Sequence, residues 1–216
     1  MKEIKEPVLC ISQDALKEQR IPNTGMGILS FDWTKVDLDH IALMTRNICD
    51  NPTHKSVGEY FPQIIPYIVV RNQEGKILTY SRGKGAEDRL HAYRSIGFGG
   101  HIDYVDTSNY PTDLIRAIQV GSDREIAEEL DADGGIYGNV VPNNIIIDYT
   151  NGVGKVHVGI MFEITLDEVN TDTNEISDAM WLTLDELKQS INKYPNFWLR
   201  AMGWFMVAMV DVLERM

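Results

Sequence analysis

Cysteine is scarce. Only Cys10 and Cys49 occur, they form no CxxC pair, and no disulfide framework can be built from them. A reduced, cytoplasmic setting is therefore expected. Basic side chains are also in deficit, 20 against 32 acidic, for a formal net charge of -12. A protein that coats nucleic acid needs a basic face for the phosphates, so no nucleic-acid partner is expected. Long apolar runs are missing as well. The most apolar stretch, Ala201 to Val210, is bracketed by Arg200 and Asp211, and its length as a helix is about 15 Å, roughly half a bilayer core. It reads as a buried helix, and no membrane partner is expected. The opening MKEIKEPVLCISQD lacks the apolar core of a signal peptide. The sequence shows no internal repeat and no low-complexity tract.

What is present is an ordinary globular composition, 44% hydrophobic over 216 residues, enough for one compact domain with an appendage. The charges are unevenly placed. Residues 71–94 carry six basic side chains against three acidic, residues 103–133 nine acidic against Arg116 and Arg124, and residues 163–186 eight acidic and no Lys or Arg. A positive stretch ahead of two negative ones suits phosphate on one side and cations on the other. Taken singly, any of these charges is equally well a solvated surface group.

Residues 1–60 read as an N-terminal extension on a core of residues 61–216. The extension opens with a strand at Val8 to Ile11 and a short helix capped by Ser12. The apolar spacing then predicts a second helix from Thr34 to about Cys49, ended by Asn51-Pro52. The pattern next changes to strands. Ile64 to Val70 and Lys76 to Tyr80 flank the turn Asn72-Gln73-Glu74-Gly75, and a basic, glycine-bearing loop leads to Gly97-Phe98-Gly99-Gly100-His101. Asp113 opens a helix running to about Leu130. Strands follow at Asn144 to Tyr149 and Lys155 to Ile164, a short helix starts at Thr183, and an amphipathic helix covers Pro195 to Arg215. Strands mixed with helices in this way imply an α/β (α+β) sandwich with a mixed sheet.

The sharpest feature is the run Arg124-Glu125-Ile126-Ala127-Glu128-Glu129-Leu130. At about 100° per residue, Glu125, Glu128 and Glu129 share an arc of about 100° on one helix face. Ile126 and Leu130 turn to the other side, toward a core. Three stacked carboxylates repel one another by a few tenths of a kcal/mol per pair, which a solvated helix tolerates. They gain outright when cations lie among them, and Mg²⁺ takes carboxylate oxygens together with phosphate. Upstream, Gly97-x-Gly99-Gly100 permits close backbone approach. The glycines, the basic loop and the tri-carboxylate helix are far more telling in this order than any one of them alone.

The order GGHIDYVD…REIAEEL resembles a Nudix box, the signature of the MutT-like hydrolases. Gly100, five residues and Asp106 fit its first part, with Asp for the usual Glu. Arg124, Glu125, Ile126, Glu128 and Glu129 fit its second part. Two departures stand out: 17 residues separate Asp106 from Arg124, ten more than the family's spacing, and Asp131 stands where glycine is usual. IPYIVVRNQEGKILTYSRGKG, KVHVGIMFEI and EISDAMWLTLDEL extend the likeness over roughly residues 62–190. The whole is similar to a poorly characterised MutT-like group known as predicted phosphoesterases. Isopentenyl diphosphate isomerase, a Nudix relative, is excluded, because Gly99 stands where it needs a catalytic cysteine.

The resemblance implies a Nudix α/β/α sandwich and metal-dependent hydrolysis of a diphosphate linkage in a nucleoside diphosphate-X type substrate. It implies Mg²⁺ or Mn²⁺ held by Glu125, Glu128 and Glu129 with the Gly99 carbonyl, and Arg124 orienting a glutamate. Arg82, Lys84 and Arg89 are candidates for the substrate phosphates or are surface cations. The general base is open among Glu125, Glu128, Glu163 and Glu175, since Glu163 shares a strand face with His157. His101 and His157 read as structural hydrogen-bonders. The insertion leaves the role of Asp106 open. The alternative is a non-catalytic Nudix domain that senses a nucleotide and regulates a partner through residues 1–60. A stripe of Phe197, Trp198, Trp204, Phe205, Met206 and Met209 would serve a homodimer or a core.

Overall fold

The computed structural model describes residues 7–49, 55–82, 94–131, 142–150, 152–166, 169–170 and 176–194. The expected C-terminal helix with its aromatic stripe, and Lys84, Arg89 and Glu175, lie outside the described residues. Among the described residues no helix is long and apolar enough to cross a membrane.

The chain opens with β1 (Pro7–Ile11) and α1 (Gln13–Glu18), whose first turn is capped by Ser12, its Oγ accepting from the Ala15 N–H. β2 (Met26–Ser30) and β3 (Ile41–Thr45) follow, then the short helices α2 (Arg46–Cys49) and α3 (Lys55–Tyr60). The helix expected from Thr34 to Cys49 is largely replaced. Trp33–Lys35 and Leu38–His40 are single 3-10 turns, and Ile41–Thr45 is a strand antiparallel to β1. Asp32 and Asp37 explain the difference. Their Oδ1 atoms accept from Thr34 N (3.1 Å) and Asp39 N (3.2 Å), breaking the segment into turns before a helix can propagate. β1 then supplies the partner for an extended β3.

β4 (Gln63–Arg71) and β5 (Ile77–Arg82) form the expected hairpin, closed by Gly75 N–H donating to Asn72 O at 2.9 Å. Two short strands, β6 (Arg94–Ser95) and β7 (Gly97–Phe98), lead to α4 (Tyr104–Ser108) and the long helix α5 (Leu114–Leu130). Asp113 caps α5, its Oδ1 accepting from Arg116 N at 3.0 Å. β8 (Asn144–Asp148), β9 (His157–Thr165), β10 (Ile176–Leu182) and α6 (Leu184–Lys193) complete the described chain.

Among the described residues, all the strands belong to one mixed sheet of ten, with the order β10-β5-β4-β9-β8-β2 along its main path. β4 and β9 run parallel at its centre, from Gln63↔His157 to Arg71↔Thr165. The other edge of β4 is shared by β1 at Gln63, β7 at Ile68 and Val69, and β5 at Arg71. Pro66 falls in the gap between β1 and β7, where a missing N–H costs no ladder bond. That gap is where the site forms.

Alternation along β4 and β9 divides the core between the two faces. Ile64, Ile68, Val70, Val158, Ile160, Phe162 and Ile164 pack with Leu114, Ile118, Ile126 and Leu130 of α5. Leu9, Ile11, Leu16, Phe31 and Trp33 of residues 1–60 share that same cluster. Ile65, Tyr67, Val69, Ile77 and Met161 face the other way, against Leu187 of α6. Helices on both faces of one mixed sheet make the expected sandwich.

Candidate active site

α5 buries a row of side chains four apart, Leu114, Ile118, Ser122, Ile126 and Leu130, which seats it on the sheet. The polar member, Ser122, donates to Ile118 O at 2.7 Å and so is satisfied within the helix. This seating turns Arg124, Glu125, Glu128 and Glu129 outward onto the gap in β4. The side chain of Glu125 is 13% exposed and that of Glu128 62% exposed, while Glu129 is half-buried, so the three carboxylates differ in their access to solvent.

Arg124 is the hub of that face. Its Nε donates to Asp106 Oδ1 at 3.0 Å and its Nη2 to Asp106 Oδ2 at 2.9 Å, a two-point grip on a carboxylate only 3% exposed. Nη1 donates to Glu125 Oε1 at 2.9 Å and Glu128 Oε2 at 3.1 Å. Nη2 also donates to His101 O at 2.7 Å and lies 3.7 Å from Asp103 Oδ2. Asp106 is thereby given a role that spacing alone left open. Asp106 sits in the first turn of α4, where Oδ2 also accepts from Asp103 N at 2.8 Å, and the residues between it and Arg124 are the end of α4, a turn and the first part of α5. Asp103 was not singled out in the sequence. Its signal was the Asp103-x-x-Asp106 spacing of a helix start.

The glycine loop closes on the same carboxylates. Gly99 N–H donates to Glu129 Oε1 at 3.2 Å. Gly99 has φ +139, and a Cβ there would collide with Pro66 O. A Cβ on Gly100 would fall on the Glu125 carboxylate. The loop backbone thus lies wedged between β4 and α5, with Glu125 and Glu129 against it.

Burial dominates the electrostatics of Glu125. It pushes the carboxyl up to about 7, against the pull of Arg124, with the Glu128 and Asp103 charges adding to the rise. For Arg124, burial acts downward, but the bond to Asp106 and the charges of Glu125 and Asp106 outweigh it and hold the guanidinium above its ordinary value.

Other sequence candidates lie elsewhere. Glu163 is on the sheet face of Met161, opposite the side that α5 covers, and its Oε2 accepts from Arg71 Nε at 2.9 Å. The structure does not bring it to the carboxylate face of α5. Arg82 ends β5, but its side chain is not among the described parts. His157 bonds at both ring nitrogens, Nδ1 to Val153 O at 2.8 Å and Nε2 to Gln63 Nε2 at 3.1 Å. Because the Gln63 amide donates, these bonds select the Nδ1–H tautomer. His101 sets its ring edge-on to His157, 5.9 Å between centroids.

The donors on this face are carboxylate oxygens beside a loop backbone, which suits a hard divalent cation in kind. Among the described residues no three acidic, His or Cys side chains are gathered into one coordination sphere. Arg124 takes one oxygen each of Glu125 and Glu128, and the Gly99 N–H takes one of Glu129. The fit therefore rests on Glu125 and Glu129 meeting the same two-residue loop.

No protein-family model matches the chain. The crystal structure of Tm1382, a candidate Nudix hydrolase, matches it with a TM-score of 0.70 at 19% identity, over 98% of this chain and 100% of Tm1382. DR0079 from Deinococcus radiodurans matches with a TM-score of 0.45 at 18% identity, over 62% of this chain and 74% of DR0079. The mixed sheet between helices is the fold of Tm1382, a Nudix-type fold. By sequence, the chain belongs to the same family as protein YmaB of Bacillus subtilis (strain 168), 31% identical over 157 residues, which are 71% of this chain and 72% of YmaB.

Proposed function

We propose that the protein hydrolyses a diphosphate linkage in a small molecule of the nucleoside diphosphate-X type, by attack of water at phosphorus. The observation that carries this reading is the closure of the Gly99–Gly100 backbone onto Glu129 and Glu125. It places loop backbone and clustered carboxylates at one spot, beside the gap in β4. Glu125, Glu128 and Glu129, with the Gly99 carbonyl, would hold Mg²⁺ or Mn²⁺. Such an ion, when bound, neutralises diphosphate charge and lowers the pKa of water.

The chain's own residues do the rest. Arg124, anchored on Asp106, orients Glu125 and Glu128 and keeps their charges from driving the face apart. Glu125 and Glu128, the two carboxylates that Arg124 orients, are the proposed candidates for the general base. Glu128 is the more exposed alternative. Arg82, Lys84 and Arg89 remain proposed phosphate contacts. The proposal includes a cytoplasmic setting and treats residues 1–60 as an extension packed on the Nudix core, supported by their share in the α5-side cluster.

The test is phosphate and nucleotide release from a panel of diphosphate compounds with Mg²⁺, with Mn²⁺ and with chelator. Release that chelator abolishes supports the hydrolase. Metal-dependent binding of one compound with no cleavage of any would replace it with a nucleotide sensor.

A further inference from the structure

The Gly99–Gly100 segment hangs between three pinned carbonyls. On its far side, His101 O accepts from Arg124 Nη2 at 2.7 Å and Ile102 O from Leu9 N at 2.8 Å. On its near side, Gly97 O accepts from the Tyr80 hydroxyl at 2.7 Å and from Ser95 Oγ at 3.1 Å. Ser95 also accepts from Gly97 N at 3.3 Å, so its contact is a local turn between residues two apart. Tyr80 arrives from another strand. It is buried on the α5 side of β5, and its ring stacks on Phe98 with centroids 4.5 Å apart and planes at 21°. A buried tyrosine hydroxyl needs a partner. Here the partner is the carbonyl two residues before the amide that meets Glu129.

We propose that Tyr80 is a positioning residue for the carboxylate site: by holding Gly97 O and stacking on Phe98, it fixes the Gly99 N–H against Glu129 and so sets how that carboxylate is presented. The geometric part stands on the contacts above. The consequence for ion binding rests on the hydrolase reading.

Tyr80→Phe removes one oxygen and keeps the stacked ring. In the full-length, metal-free protein, amide hydrogen exchange at Gly99 and Gly100 should speed up about tenfold, the worth of one ordinary hydrogen bond. Exchange along the β4–β9 ladder should stay as it was. Unchanged exchange at Gly99, or equal acceleration throughout the ladder, overturns the proposal. Mn²⁺ affinity, read by calorimetry, supplies a double-mutant cycle with Glu129→Gln. Tyr80→Phe should weaken binding about tenfold in the wild-type background and leave it unchanged once Glu129 is Gln. An equal factor in both backgrounds means that Tyr80 does not act through Glu129, and the proposal falls. If the wild-type protein binds no Mn²⁺, the hydrolase reading fails, and the exchange at Gly99 alone decides the role of Tyr80.

Discussion

Arg124 grips Asp106 across a 17-residue separation, with Nε 3.0 Å from Oδ1 and Nη2 2.9 Å from Oδ2. The residues between them finish α4, turn and run along α5 to Arg124, so the added length leaves the ion pair intact. Asp106 is almost wholly buried, and breaking such a pair from one side leaves the other charge poorly solvated. Asp106→Ala should therefore lower the unfolding free energy by about 3 kcal/mol in urea titrations. A loss below about 0.5 kcal/mol would show the pair to be ornamental.

Glu129 has a different profile. Its Oε1 accepts from Gly99 N–H, which ties it to the loop. Glu129→Gln should keep the fold and the thermal midpoint while reducing kcat at least about 100-fold, because it removes a proposed metal-holding oxygen. Wild-type turnover in that variant would remove Glu129 from the site.

Much of this site was readable beforehand, because helical periodicity alone puts Glu125, Glu128 and Glu129 on one arc and Ile126 with Leu130 on the buried side. The hairpin at Asn72–Gly75 and the cap at Asp113 were equally legible, since local turn and cap chemistry decides them. Residues 34–45 were not. Their apolar spacing matched a helix, and the outcome turned on Asx turns and on a partner strand about 30 residues earlier. Glu163 illustrates the same limit at the site. Strand alternation fixes which residues share its face, but only the packing of α5 and α6 tells which face is which.

The two loop glycines should fail in different ways when changed to alanine. At Gly99 the new methyl meets the carbonyl oxygen of Pro66, part of a central strand that cannot retreat, and φ is +139. Gly99→Ala should cost at least about 2 kcal/mol of stability. At Gly100 the methyl meets the Glu125 carboxylate, the movable end of a side chain. Gly100→Ala should leave stability within about 1 kcal/mol and instead weaken Mn²⁺ binding, read by calorimetry. The reverse pattern would mean that the loop's contact with α5 is structural.

Asp131 ends α5 with φ +48, the left-handed conformation in which glycine is least strained. Asp131 offsets part of its strain by accepting from Asn170 Nδ2 at 3.3 Å, while Asn170 N caps Leu130 O at 3.0 Å. Asp131→Gly should raise stability by about 0.5 kcal/mol, the relief of strain less a weak exposed bond. Asp131→Ala should lower it by about 1 kcal/mol, having neither the bond nor the freedom. Urea midpoints of the two variants moving in the same direction would refute this account.

Glu125 couples stability to ion binding through one proton. Its carboxyl is raised from 4.5 to about 7 in the fold, chiefly by burial. Between those values the folded state holds more protons than the unfolded one, so stability falls as pH rises through the interval and levels off above about 7. The interval corresponds to about 3 kcal/mol. Metal-free Glu125→Gln, which cannot ionise, should match the wild-type protein near the bottom of the interval and exceed it by up to that amount at pH 8. A bound divalent cation wants the same carboxylate ionised, so Mn²⁺ affinity should climb about tenfold per pH unit below 7 and flatten above it. The two trends have opposite signs because they share a cause: the ionised carboxylate is costly to bury alone and stabilised beside a cation. A wild-type stability profile parallel to that of Glu125→Gln, from pH 5 to 8, would show that Arg124 already neutralises Glu125 in the fold and that the carboxylate enters the site ionised at every pH in that range.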